Sequence, residues 1–246
     1  MSNRHTVGLS QRIQLDWLER TALLYISGAS RQEIQRELEA FLQDKVSIGS
    51  RSKGQTNRRK TISNLLRIWV SPPAGLECFR DAGINHIKQL PYQDHVIVHW
   101  GMTMAAYPFF YTVVETVGRL LFLQGMVTSA QVHRRMKEQL GERSTVERAT
   151  RRAISTLNNW NILQSTKEIG VYQATPDLLI DNLDLTTWLI EATLIASNAD
   201  CSPLHTITNK PALFPFNINQ KRIVCSEKSR LEIVQQGLNQ SIVLLR

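Results

Sequence analysis

Cysteine is scarce in this sequence, and its distribution excludes two common ways of stabilising a fold. The 246 residues contain three cysteines, Cys78, Cys201 and Cys225, which lie far apart and form no CxxC pair. An odd number of widely separated cysteines argues against a disulfide framework and against a structural zinc site. Reduced thiols fit this spacing better, and we therefore expect a cytoplasmic protein.

Long apolar runs are also missing. The first seventeen residues do not contain the apolar core of a signal peptide. The longest apolar stretches, near 102–111 and 113–122, contain or border polar residues. Neither reaches the roughly 20 residues that a membrane-spanning helix needs. We therefore expect no membrane among the partners of this chain.

The short motifs that mark common enzyme classes are absent as well. The sequence has no GxxxxGK[ST] phosphate loop, GxGxxG fingerprint, HExxH or GxSxG. His95 and His99, with Asp94 beside them, could share a helix face as metal ligands or as the acid–base groups of a hydrolase. No acidic–His or Cys–His cluster nearby in the sequence completes such a site, which favours buried core or interface histidines. We predict a protein that is not an enzyme and uses no cofactor and no metal.

Positive charge is what the sequence has in excess. It carries 29 Lys and Arg residues against 21 Asp and Glu, a formal net charge of +8. Lys and Arg neutralise phosphates and release their counterions, so this balance favours a polyanionic partner such as nucleic acid. A basic surface that binds nothing is the alternative. The hydrophobic fraction of 42% is ordinary for a globular chain, and a chain of this length can bury a sizeable core.

Hydrophobic spacing predicts two helices at the start of the chain, followed by a basic loop. Residues 12–26 and 30–42 carry apolar side chains at helical spacing, and Ser30-x-x-Glu33 forms a capping box for the second helix. Residues 47–60 break the periodicity and contain basic residues but no acidic one. The loop is either a solvated charge run or a flexible arm that follows a phosphate backbone. Its basic residues are Arg51, Lys53, Arg58, Arg59 and Lys60.

Three further segments complete the predicted N-terminal region. Residues 61–70 look helical and stop before Pro72, and a weaker helical pattern covers about 75–89. Residues 94–107 are apolar and predicted to be buried, with Trp100 as the anchor of the core.

Residues 109–176 have the element order of a winged helix-turn-helix. A helix at about 111–124 precedes a second helix that opens with the capping box Thr128-x-x-Gln131 and ends at Gly141. A third helix is predicted to open with another capping box, Ser144-x-x-Glu147. Two short strands around Lys167, with a bend near Gly170, then form a hairpin.

The predicted third helix has one apolar side and one basic side. At about 100° per residue, the apolar side collects Val146, Ala149, Thr150, Ala153 and Leu157. The opposite side collects Arg148, Arg151, Arg152, Ser155 and Asn159. Arg can bridge guanine O6 and N7 or hold phosphate, and Asn can pair with adenine. This pattern predicts a DNA-recognition helix, and a winged helix used only for protein contact is the alternative.

The predicted DNA-binding set combines the basic loop with the second and third helices and the hairpin. The start of the third helix is included because its backbone N–H groups favour phosphate. The complete set is Arg51, Lys53, Arg58, Arg59, Lys60, Arg134, Arg143, Ser144, Thr145, Arg148, Arg151, Arg152, Ser155, Asn159 and Lys167.

The last part of the chain changes character. Residues 177–200 contain five acidic side chains and no Lys or Arg. A helix is predicted at 183–196, irregular structure at 201–222, and a short helix followed by an apolar end at 226–246. Because acidic groups repel DNA, we expect this region to face a protein partner or a second copy of the chain.

We therefore predict a mainly α protein with three parts. An N-terminal helical, helix-turn-helix-like domain covers 1–108 and includes the basic loop, a winged helix-turn-helix covers 109–176, and a partly helical C-terminal extension covers 177–246. The expected function is non-enzymatic binding of double-stranded DNA, largely through phosphates. The alternative is a structural or adaptor subunit whose winged helix docks a protein partner in a defence or chromosome-maintenance complex.

The layout of residues 15–163 also carries a family resemblance. Its features are the helical pair near 25–41, the basic residues 58–60 before an Arg-containing helix, the apolar stretch around Trp100 and 107–110, and the capped helices that end at 160–163. This layout resembles the BrxA-type family, small DNA-binding components of bacteriophage-exclusion (BREX) defence systems. The resemblance implies a helical DNA-binding protein that works with other proteins of a multi-gene antiphage locus.

Overall fold

The computed structural model describes residues 8–9, 11–46, 56–218, 230–235 and 241–246. Over these residues the chain is mainly helical, with ten α-helices and small sheets, as its sequence predicts. None of the described helices is both long enough and apolar enough to cross a membrane.

Five helices make up the first part of the chain, and local signals explain where they begin. They are α1 (Leu15–Ile26), α2 (Arg31–Phe41), α3 (Asn57–Trp69), α4 (Glu77–Gln89) and α5 (His95–Ala106). The predicted capping box of α2 is confirmed, since the Ser30 hydroxyl accepts from Glu33 N and the Glu33 carboxylate accepts from Ser30 N.

The prediction of a loop over 47–60 is wrong for residues 57–60, which are helical. The Thr56 hydroxyl accepts a hydrogen bond from Arg59 N (3.2 Å), and this cap lets α3 begin at Asn57. Arg58, Arg59 and Lys60 therefore lie in the first turn of a helix and do not belong to a flexible arm. Arg51 and Lys53 lie outside the described residues.

Helix α5 lies at the centre of the molecule. All of its residues are buried, as predicted for this segment, and Trp100 is fully buried. The Trp100 ring meets the rings of Phe110, Trp160 and Phe216 with centroids 5.5–6.3 Å apart. Such edge-on aromatic contacts add to the apolar burial, so Trp100 anchors the core as predicted.

The next part alternates helices with short strands. Its elements are α6 (Pro108–Gln124), β1 (Met126–Thr128), α7 (Ser129–Leu140), α8 (Ser144–Asn159), β2 (Leu163–Ser165) and β3 (Val171–Ala174). Gly125, in the left-handed region at φ +71°, ends α6, and the capping box between Thr128 and Gln131 opens α7. Strands β1, β3 and β2 form one antiparallel sheet in that order. The hairpin of β2 and β3 was expected, whereas β1 was not, because three residues are too few to show a strand periodicity.

The predicted capping box at the start of α8 does not form. Ser144 is the first helical residue, and Arg143 occupies the cap position without a side-chain hydrogen bond. Val146, which carries no polar group, then stands at the position where a capping box needs Glu or Gln. Glu147 instead forms an ion pair with Arg151, with 3.8 Å between the two charged atoms.

The end of the chain contains α9 (Leu183–Ser197), which was predicted, and several strands that were not. Strand β4 (Leu178–Ile180) pairs with β6 (Phe216–Ile218) in parallel. An antiparallel sheet contains β5 (Cys201–Pro203), β8 (Ser241–Leu245) and β7 (Leu231–Gln235), and α10 (Leu204–Thr208) follows β5.

Two predictions for this region are therefore wrong. Residues 201–218 contain regular elements, and residues 231–235 are a strand where a short helix was expected. In β7 the pairing with β8 overrides helical spacing, and Leu231 packs into a small cluster with Ile190 and Val243.

One hydrophobic core extends from Leu9 to Phe216 and connects all three predicted parts. Helix α9 packs against α4 and α5: the Trp188 ring stacks on Phe79 with centroids 4.5 Å apart, and Trp188 Nε1 donates to Phe79 O (3.0 Å). Removing the chain after residue 180 would therefore expose α4 and α5. The division at residues 108 and 176 stays a prediction.

Gly118 marks the closest approach between α6 and the later chain. A Cβ atom at this position would lie 1.9 Å from the backbone O of Pro211 and 2.9 Å from the Phe214 side chain. We expect Gly118→Ala to lower the free energy of unfolding by about 1–3 kcal/mol, because the backbone of the 211–213 turn must move away. Denaturant unfolding measures this, with Arg119→Ala at the exposed neighbouring position as the control. Equal stability of the two variants would contradict the close contact.

Candidate nucleic-acid interface

Helix α8 has the two-sided character that its sequence predicts. The predicted apolar side is buried in full: Val146, Ala149, Thr150, Ala153 and Leu157 are at most 3% exposed. This side packs on α6 and α7 and leads into Trp160, which is also buried. The opposite side of the helix is thereby turned away from the core.

The outer side of α8 presents three arginines. Arg148, Arg151 and Arg152 are exposed, as is Asn159, and Ser155 is half-buried. Arg148 Nε donates to Ser144 O (3.3 Å), and Arg151 is held by Glu147. Among the described residues, no acceptor pairs with the side chain of Arg152. The three guanidinium groups can thus reach a ligand without breaking a strong interaction, since exposed ion pairs contribute little.

The start of α8 is open to solvent. Arg143, Ser144 and Thr145 are exposed, and Arg143 Nη2 donates to the Leu140 carbonyl (3.1 Å). Because no side chain caps this helix, its first N–H groups are available to an anion.

Two other predicted residues lie on neighbouring elements. Arg134 is exposed on α7 and lies 3.9 Å from Glu138 in an ion pair. Lys167 is exposed in the turn between β2 and β3. Ile169 in the same turn is fully exposed.

The basic residues at the start of α3 have separate surroundings. Arg58 Nη2 donates to the Gln43 carbonyl at the end of α2 (2.8 Å), and its Nε is buried without an acceptor in the described chain. Arg59 is exposed and Lys60 is half-buried. Arg58 is thus held against the protein, while Arg59 is free to meet solvent.

The structure brings residues 11–13, just before α1, against α8. Ile13 N donates to Thr156 Oγ1 (3.1 Å), and Trp160 Nε1 donates to the Ile13 carbonyl (3.1 Å), across more than 140 residues of sequence. Arg12 therefore lies beside the outer side of α8. A groove of about 310 Å³ opens there, lined by Gln11, Arg12, Trp17, Lys45, Val46, Asn57, Thr61, Arg152 and Ser155.

The groove adds two cations that the sequence prediction missed. Arg12 and Lys45 belong to segments that sequence spacing does not connect to α8, so no local pattern identifies them. Arg12 is exposed, while Lys45 lies 3.6 Å from an Asp16 carboxylate oxygen and 3.6 Å from the centre of the Phe41 ring. None of the described side chains that line the groove is acidic. The groove and the outer side of α8 together form one basic surface.

The two histidines singled out in the sequence belong to a buried hydrogen-bond network. The Glu19 carboxylate on α1 lies 3.0 Å from His95 Nδ1 and 3.0 Å from His99 Nε2. Trp69 Nε1 donates to His99 Nδ1 (3.2 Å), so that nitrogen is an acceptor and the proton of His99 is on Nε2. His95 Nε2 faces the Leu90 carbonyl (3.1 Å), so both its ring nitrogens face acceptors.

The contacts of this network are structural. His99 Nε2 donates to Glu19 and has no lone pair for a metal ion, and among the described residues no group of His, Cys, Asp or Glu side chains is arranged to hold one. The network instead ties α1, α3 and α5 together. Sequence spacing showed the two histidines but could not show Glu19, which is 76 residues away.

The network makes stability depend on pH. Burial lowers the pKa of His99, and the hydrogen bonds from His99 and His95 lower the pKa of Glu19 although burial opposes them. Depressed values mean that the unfolded chain binds protons first as the pH falls. The stability from these groups is therefore complete above the ordinary His pKa of 6.5 and decreases below it.

We expect the melting temperature to fall between pH 6.5 and pH 5 for this reason. His99→Gln should reduce that decrease, because a glutamine amide can accept from Trp69 and donate to Glu19 without titrating. Glu191 has the opposite effect on the pH dependence of stability. Burial raises its pKa to about 7, so its contribution to the stability of the fold is lost as the pH rises. Comparing the pH profiles of the original chain and the variant isolates His99, and identical profiles would contradict its role.

Comparisons of the chain with protein-family models, with curated proteins and with solved structures found no match. The resemblance to the BrxA-type family therefore stays a prediction from the layout of the sequence. The geometry of α8 and the elements around it is what bears on function.

Proposed function

We propose that this protein binds double-stranded DNA without acting as an enzyme. The observation that carries the proposal is the outer side of α8, where three exposed arginines and an asparagine stand opposite a fully buried face. A rigid helix with this side-chain set fits the width of a DNA major groove, in which Arg and Asn can contact base edges and phosphates.

The elements around α8 support a winged helix-turn-helix. Helix α6, strand β1, helices α7 and α8 and the hairpin of β2 and β3 follow one another in the order of that motif, and β1 completes the sheet. In this arrangement α8 is the recognition helix, and the turn that contains Lys167 is the wing. Arg134 and Arg143 flank the recognition helix and meet the phosphate backbone.

Binding to duplex DNA, single-stranded DNA and RNA of the same sequence tests the proposal. Fluorescence anisotropy with labelled oligonucleotides gives the three dissociation constants under one salt condition. We expect the duplex to bind most tightly, because α8 is shaped for a B-form major groove and the major groove of RNA is too narrow for it. Tighter binding of RNA or single strands would overturn the assignment of the partner.

A protein-docking role is the second candidate, and exposed apolar side chains favour it. Phe122, Leu123 and Met126, around the end of α6, are 88%, 67% and 51% exposed, and Ile169 in the hairpin turn is fully exposed. Exposed apolar side chains that cluster are typical of protein contact sites. An adaptor subunit would use the exposed side chains around the end of α6 to dock a partner protein and would bind DNA weakly or not at all.

The cellular setting follows from the resemblance alone. We propose a component of a bacterial antiphage defence system in the cytoplasm that works with other proteins of the same system or as a homo-oligomer. The acidic C-terminal region would supply that contact, because Asp177, Asp181 and Asp200 are exposed and repel DNA.

A further inference from the structure

We propose that the groove between the start of the chain, the end of α2, the start of α3 and the outer side of α8 is a phosphate-binding site. The inference rests on the proposed function, because it identifies the part of the protein that would hold a DNA backbone phosphate next to α8. The same groove chemistry also fits the phosphate of a free nucleotide, and the experiment below separates the two sources.

The first observation is the convergence of cations. Arg12, Lys45 and Arg152 come from three different segments, and all three side chains line the groove. Like charges repel one another unless an anion lies between them, and neither Arg12 nor Arg152 has an acidic partner among the described residues. Asp16 balances part of the charge of Lys45 at 3.6 Å, which leaves the two arginines for a ligand.

The second observation is a buried donor without an acceptor. Trp17 lines the groove and is only 2% exposed, and its Nε1 has no hydrogen-bond partner in the described chain. Three of the other four tryptophans do have an acceptor for Nε1, namely Trp69, Trp160 and Trp188. A buried N–H without an acceptor is unfavourable, and a ligand that brings oxygen acceptors would relieve it.

The position of the groove explains how such a ligand would reach α8. Arg152 and Ser155 of α8 line the groove, and Arg148 lies one turn earlier on the same side of that helix. A phosphate in the groove would therefore lie beside a duplex that α8 enters. Phosphate contacts of this kind fix the register of a protein on DNA without reading its sequence.

The tryptophan side chains provide a direct readout. The five tryptophans give five indole N–H signals in a ¹H–¹⁵N NMR spectrum, and Trp17→Phe identifies the signal of Trp17. Titration of the full chain with inorganic pyrophosphate, with a free nucleotide and with a short DNA duplex should shift the Trp17 signal. Trp100 is the internal control, because its Nε1 is also buried without a partner in the described chain but Trp100 does not line the groove.

A matched pair of double variants tests the charge. Arg12→Gln with Lys45→Gln removes two groove cations, and Arg20→Gln with Arg36→Gln removes two exposed cations of α1 and α2. Each pair contains one residue in an exposed ion pair, Lys45 with Asp16 and Arg20 with Glu37. The groove variant should weaken DNA binding equally for all sequences. It should also change the salt dependence of binding: the slope of the logarithm of the association constant against log[salt] should become less negative by about 0.9 for the lost phosphate contact.

The outcomes separate this inference from the proposed function. A large loss of affinity and slope in the groove variant but not in its control, with a shifted Trp17 signal, supports the site. DNA binding that is unchanged in a folded groove variant overturns the groove while leaving the DNA-binding proposal intact. A Trp17 shift with pyrophosphate or nucleotide but no binding of DNA supports a site for free phosphates and overturns the proposed function. No shift with any of the three ligands overturns the phosphate site.

Discussion

Replacing Arg148 and Arg152 with alanine is expected to weaken duplex DNA binding by about 1–3 kcal/mol for each arginine that makes a bidentate base contact. A loss of 1.4 kcal/mol is roughly tenfold in affinity, so the loss of both contacts, about 2–6 kcal/mol in total, should weaken binding roughly 30-fold or more. Stability should change by less than about 0.5 kcal/mol, because both side chains are exposed. Anisotropy titrations and thermal melting on the same samples measure the two effects.

The buried side of the same helix provides the control. Leu157→Ala removes a fully buried side chain and should lower the free energy of unfolding by about 2–5 kcal/mol through the cavity that it leaves. The arginine variants should thus lose DNA affinity while keeping their stability, whereas the leucine variant should lose stability. Normal DNA binding by folded arginine variants would remove α8 from the interface. The docking role that the exposed side chains around Phe122 favour would then be the better candidate.

Glu19→Ala is expected to be among the most destabilising single changes in the protein. It leaves a ring N–H of His95 and one of His99 buried without the carboxylate that both contact, and each buried donor without an acceptor costs about 1–3 kcal/mol. The loss also removes the side-chain hydrogen bonds that join α1 to α5 among the described residues. Denaturant unfolding at neutral pH measures the change.

Glu37→Ala is the matched control for this prediction. Glu37 forms an ion pair with Arg20 at 3.5 Å, but both side chains are about half exposed, so its loss should cost no more than about 1 kcal/mol. A Glu19 variant as stable as the Glu37 variant would mean that the buried network contributes nothing to the fold.

Sequence alone predicted the features that depend on neighbouring residues. The capping boxes of α2 and α7 and the two sides of α8 all follow from spacing within one or two turns of helix. The cap predicted at Ser144 was wrong for an instructive reason. A Ser-x-x-Glu pattern occurs there, but the helix begins one residue too early for the two side chains to reach each other's backbone.

Features that depend on distant contacts could not be predicted. Strand β7 is a strand because it pairs with β8, and the groove beside α8 exists because the chain before α1 crosses α8 at Thr156. Glu19 meets its histidines only when α1 packs on α5. Arg12 and Lys45 likewise have no local signal, since each is a single basic residue outside any basic run. The basic surface that the folded chain presents therefore differs from the one that charge runs alone indicate.

The salt dependence of duplex binding tests the central claim most directly. The dissociation constant of the full chain for a DNA duplex is measured across a series of salt concentrations. If α8 and the flanking cations hold several phosphates, the logarithm of the association constant (the reciprocal of the dissociation constant) should fall linearly with log[salt]. The slope should be about −0.9 for each phosphate contact. The Arg148 and Arg152 variants should show a shallower slope or no measurable binding. A folded chain that does not bind duplex DNA even at low salt, or binds it with no salt dependence, would contradict a DNA-binding function.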